Sequence, residues 1–99
     1  MSMSYRLLEN YSIGKLREYD IAHIEEHLIV SLTDIVISND DFQWIENLNS
    51  DLAKKSLSFV ILSENLSYEM LPEKVNFCPT IEEAIDLIEF EEIQRDLGL

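Results

Sequence analysis

Two short apolar runs set the strongest limit on what this chain can fold into. Leu28-Ile29-Val30 with Leu32 is nearly continuous in hydrophobicity, interrupted only by Ser31. A strand of that composition is covered on both faces, as inside an α/β sheet. The second run, Leu57 to Leu62 (LSFVIL), is short and brings Phe59, Val60 and Ile61 together, which also marks a strand. Between the two lies a helical pattern. Phe42, Ile45, Leu48 and Leu52 follow at steps of three, three and four, which predicts one buried face on a helix from about Asp41 to Lys55. Asn39 or Asp40 can cap its start. Asp40 and Asp41 then lie at its N-terminal end and Lys54 and Lys55 in its last turn, as the helix dipole favours.

The remaining segments extend this alternation. KVNF reads as a short final strand, and PTIEEAIDLIEF opens a helix in which Thr80 and Glu83 have the spacing of a capping box. Ile81, Ala84, Ile85 and Ile88 form its core-facing stripe. Phe90, Ile93 and Leu97 share a different face, more than a quarter turn away. Either the helix bends near Glu89, or its second half offers apolar residues to a partner. Glu89, Glu91, Glu92 and Asp96 would then form a charged rim suited to a basic groove, with Gly98 ending the helix. SYRLLENYSIGKLREYD reads as one or two strands with a hairpin turn near Glu9-Asn10, DIAHIEEH as a short helix capped by Asp20, and ENLSYEMLPE as a connection broken by Pro72. The expected fold is a single α/β domain over residues 1–99, a small mixed β-sheet with helices packed mainly on one face.

The charge narrows the partners. Twenty acids against seven Lys and Arg leave a formal net charge of −13. Nucleic acid and anionic membranes are repelled at long range, and the charge is compatible with a basic protein partner and equally with plain solubility. No leader and no apolar run of about 18 residues is apparent, so the expectation is a soluble, cytoplasmic protein. The only glycines, Gly14 and Gly98, make no phosphate loop, and no cofactor is expected. Cys78 is the one cysteine and sits in an apolar stretch, where it reads as a small buried hydrophobe.

HIEEH, His23 to His27, has the H-x-x-E-H form of the inverted zinc metallopeptidases. In that chemistry two histidines bind zinc and the glutamate, here Glu26, takes a proton from the metal-bound water. A third ligand can always be nominated in so acidic a chain, and peptidases with this pattern use a far larger catalytic domain. The pattern is read as coincidence. No catalytic residue and no metal are expected, His23 and His27 being the weak metal candidates.

The C-terminal third carries a resemblance. A strand such as SFVIL, a loop, a short strand and then PTIEEAIDLIEFEEIQRDLGL is similar to the end of the STAS fold of bacterial anti-sigma-factor antagonists. Their last helix opens with a Thr-x-x-Glu-Ala pattern like TIEEA, and small STAS-like proteins end in a helix of the form EEIxRDLG. The resemblance spans roughly Leu28 to Leu99 and implies a non-catalytic binding module whose partner is a kinase-like regulatory protein, beside the basic partner that the charge allows. In that family a serine at the start of the second helix is phosphorylated. The matching stretch here holds Asn39 and Asp40 in the serine slots and Asp41 in place of glycine, with Ser38 the nearest hydroxyl. The implied role is therefore binding without the usual phosphorylation switch. The expected contact residues are Asn39, Asp40, Asp41 and Trp44, then Phe90, Ile93 and Leu97, with a homodimer as a further possibility. Two alternatives stand beside it: a carrier of a small apolar ligand on the same fold, and a zinc hydrolase using His23, Glu26 and His27.

Overall fold

A computed structural model of the chain describes residues 4–33, 38–62 and 75–98. Four strands, β1 (Tyr5–Tyr11), β2 (His27–Leu32), β3 (Phe59–Leu62) and β4 (Asn76–Cys78), lie in the order β1-β2-β3-β4. They are joined with α1 (Ile13–Arg17), a 3-10 turn at Ile21–His23, α2 (Asn39–Lys54) and α3 (Ile81–Asp96). The expected α/β architecture is what forms, but the strand directions differ from the mixed sheet expected. Every described pairing is parallel. The reason lies at Glu9-Asn10. Asn10 adopts a left-handed φ of 58°, and the register of β1 against β2 shifts between Leu8 and Tyr11. The turn signal is real, but it makes a bulge within one strand rather than a hairpin. The chain then enters α1 and the 3-10 turn before β2, a crossover that delivers the next strand in parallel.

Alternation along β2 divides the core. Leu28, Val30 and Leu32 pack with Leu16 of α1 and with Ile45, Leu48 and Leu52 of α2. Ile29, on the other face, packs with Val60, Cys78, Ala84 and Ile88. Helices therefore cover both faces, which corrects the expectation of helices mainly on one. Connections stepping in one direction across a parallel sheet place their helices on the same face, as α1 and α2 are. α3 follows the last strand and closes the face they leave open. Both apolar runs thus become strands buried from two sides.

Hydroxyl side chains cap all three helices. Ser12, Ser38 and Thr80 accept from the backbone N–H of Lys15, Asp41 and Glu83. Ser38, rather than Asn39 or Asp40, is the cap of α2. That helix ends in a Schellman arrangement: Leu57 N–H donates to Leu52 O (2.9 Å) and Ser56 N–H to Ala53 O (3.0 Å). Ser56 takes the left-handed φ of 61° that glycine would occupy without strain. Among the described residues, no helix is long and apolar enough to cross a membrane.

Candidate functional site

The apolar pattern of α3 inverts halfway along an unbroken helix. Ala84 and Ile88 are fully buried against the sheet. One and two turns further on, the same face carries Glu91, Glu92 and Arg95. Phe90, Ile93 and Leu97 take the opposite face and are 57%, 56% and 68% exposed. They lie about half a turn from Ala84 and Ile88 at about 100° per residue, so no roll of the helix could bury both sets. The first half decides the roll. Of the two alternatives for this half of the helix, the trio takes the outward one, on an α3 that runs unbroken through Glu89.

The inward charged residues meet polar partners at the amino-terminal edge of the sheet. His27 is only 5% exposed at the head of β2. Its Nδ1 accepts from the Ser58 backbone N–H (2.8 Å), and its Nε2 faces Glu92 Oε1 (2.5 Å). A bare Nδ1 and an Nε2 aimed at a carboxylate assign the ring as the Nε2–H tautomer. The Ser58 hydroxyl donates to Glu91 Oε1 (2.5 Å), Asn76 Nδ2 to Glu91 Oε2 (3.1 Å), and Arg95 Nη2 to Ser58 Oγ (3.1 Å). Directed bonds thus pin the second half of α3 to β2, to β4 and to the residue before β3. Of the expected acidic rim, Glu91 and Glu92 belong to this inner network, and Glu89 and Asp96 remain exposed.

The start of α2 gathers a second group. Ser38 Oγ donates to Asp41 Oδ2 (2.9 Å) while accepting the Asp41 N–H (3.2 Å). Arg17, at the end of α1, reaches Asp41 Oδ1 (2.9 Å) and Asp40 Oδ2 (3.3 Å) and lies over the Trp44 ring at 5.7 Å. The Ser38 hydrogen bond first, and then Arg17, hold the Asp41 carboxyl below the ordinary carboxylate range, against an opposing effect of burial. Asp40 and Asn39 are exposed, and Trp44 is half-buried against the core beside Leu48 and Leu52. Ser38, Asp40, Asp41 and Trp44 do come together here. Phe90, Ile93 and Leu97 form a separate surface on the helix that covers the other face of the sheet.

HIEEH does not form a metal-binding turn of helix. His23 closes the 3-10 turn, exposed beside Asp20 (3.4 Å), whereas His27 is already in β2 with its ring turned to α3. Glu26 bonds instead to Ser4 (3.0 Å) and Arg6 (3.3 Å). The i, i+4 spacing has meaning only on a helix, and the strand begins before His27 can join one. Among the described residues, no group of three or more His, Cys, Asp and Glu is placed to hold a metal ion. Burial, aided by the nearby Glu83 charge, pushes the Cys78 thiol up, away from the thiolate that reactive chemistry needs.

Arg17 and the partners of α3 escape sequence reasoning. Arg17 lies in a stretch read as strand, and the partners of α3 come from β2, β4 and the residue before β3. A partial signal was present, because Glu91, Glu92 and Arg95 follow Ile88 at i+3, i+4 and i+7 and so continue its face. The expected connection ENLSYEMLPE lies outside the described residues. No family model, curated protein or solved structure matches this chain.

Proposed function

We propose that this chain is a non-catalytic protein-binding module that engages its partner through the outer face of α3. One observation carries the reading: Phe90, Ile93 and Leu97 are exposed at helical spacing while Glu91, Glu92 and Arg95 of the same helix half bond inward to His27, Ser58 and Asn76. Scattered apolar residues on a surface need no explanation, but three large ones aligned on a single helix face mark a contact surface. The resemblance of the tail to STAS-like antagonists supports a regulatory role for such a module, working without the serine switch. Within that role the cluster at Asp40, Asp41 and Trp44 is the second contact candidate. Capture from host lysate with the wild-type chain beside a Phe90→Ser, Ile93→Ser, Leu97→Ser variant tests it. A protein retained by the first and lost by the second, and rebound when purified, is the expected result. Equal retention removes the reading.

A carrier of a small apolar ligand is the second reading. It is favoured by a groove of about 520 Å³ between the 3-10 turn and α2, lined by the apolar Ala22, Trp44, Leu48 and Leu52 and by the polar Asn47, Asp51, Lys54 and Lys55. Native mass spectrometry of freshly isolated protein would display a retained ligand mass if this holds, and only the bare chain if it does not.

A further inference from the structure

We infer that the occupant of the α3 face is a basic protein segment, an apolar stripe bordered by Lys and Arg, and not a second copy of this chain. This rests on the reading of that face as a docking surface and adds the chemistry of what docks. Glu82, Glu89 and Asp96 recur every seven residues, so they lie nearly in line along one edge of the Phe90, Ile93 and Leu97 stripe. All three are exposed, and so is Asp86, which continues the stripe one turn before Phe90. The sole cation of α3, Arg95, is turned inward to Ser58 and Glu91. The outer face therefore presents apolar and anionic groups with no basic residue of the helix among them.

A second copy would bring the same surface. Antiparallel pairing of two α3 helices along their stripes sets acidic edges beside each other, and parallel pairing sets each acidic edge beside the partner's other edge, which carries Glu83 and no cation, on chains that each carry a formal charge of −13. A segment with leucine-like residues flanked by Lys and Arg meets the stripe and neutralises the edge. Because these acids are exposed, their contribution is steering and selectivity, and it is screened by salt.

The probes are two synthetic amphipathic helices with the same leucine face at i, i+3, i+4 and i+7, one flanked by lysines and the other by glutamates. Each is titrated calorimetrically into three full-length proteins: wild type, the Phe90→Ser, Ile93→Ser, Leu97→Ser variant, and a Glu82→Lys, Glu89→Lys, Asp96→Lys variant. Circular dichroism checks that all three are folded. The expected result is that the lysine peptide binds wild type, loses affinity with either variant by about tenfold or more, and weakens as salt rises above about 0.15 M. The lysine variant of the protein should instead select the glutamate peptide. If both peptides bind wild type equally, or the charge reversal changes nothing while the serine variant abolishes binding, the basic-partner inference fails and the docking face survives. If the serine variant binds as wild type does, the docking face itself fails. Sedimentation of wild type as a dimer that the serine variant abolishes would also overturn the inference, in favour of self-association.

Discussion

The imidazole of His27 and the carboxylate of Glu92 meet Nε2 to Oε1 at 2.5 Å across 65 positions of sequence. The other ring nitrogen accepts the Ser58 amide hydrogen, so one side chain joins β2, the entry to β3 and α3. Long-range 1H–15N NMR at neutral pH should show the Nε2–H tautomer. His27→Leu keeps the volume but leaves a buried amide unpaired, and should lower stability by about 1–3 kcal/mol in urea unfolding. A Leu variant as stable as wild type would mean that the network is dispensable.

Outward and inward positions on α3 should separate cleanly in stability. Ile88→Ala empties a fully buried site and should cost about 2–5 kcal/mol. Phe90→Ser, Ile93→Ser and Leu97→Ser, made singly, should each stay within about 0.5 kcal/mol of wild type. A serine at any of the three that destabilises as much as Ile88→Ala would place that residue in the core.

Ser56 holds the left-handed position of the Schellman turn that ends α2. An L residue is strained there by about 1–2 kcal/mol, so Ser56→Gly should recover part of that strain. A gain of about 1 kcal/mol would raise the Tm by about 4–8 °C in a domain of this size. An unchanged Tm would show that the serine side chain offsets the strain.

The depressed Asp41 carboxyl gives a pH test. Its folded pKa lies below the unfolded one because the Ser38 hydroxyl, and then Arg17, favour the charged form. The stability it contributes is present above the unfolded pKa of about 4 and is lost as pH falls through the folded value. Asp41→Asn should therefore be less stable than wild type at neutral pH, and the difference should shrink on acidification below about pH 4. A difference independent of pH would assign the effect to packing or to the Ser38 cap.

The helices α2 and α3 and the core strands β2 and β3 were legible because each is written in local spacing. Three-and-four steps place Ile45, Leu48 and Leu52 on one face, Thr80 caps α3, and the runs Leu28–Val30 and Phe59–Leu62 suit buried strands. The same local spacing showed that Phe90, Ile93 and Leu97 leave the face of Ile88. Strand direction was not legible. Whether Glu9-Asn10 bends a hairpin or bulges a strand depends on what β1 pairs with, and that is decided by the sheet. HIEEH failed for a related reason. Its spacing is a helical one, but pairing with β1 and β3 draws His27 into a strand. By itself, then, the sequence determined the alternation of elements, the caps and the conflict between the two halves of α3. Only the tertiary structure decided which half faces inward, because Glu91, Glu92 and Arg95 need the polar groups of His27, Ser58 and Asn76, which the parallel sheet assembles from distant parts of the chain.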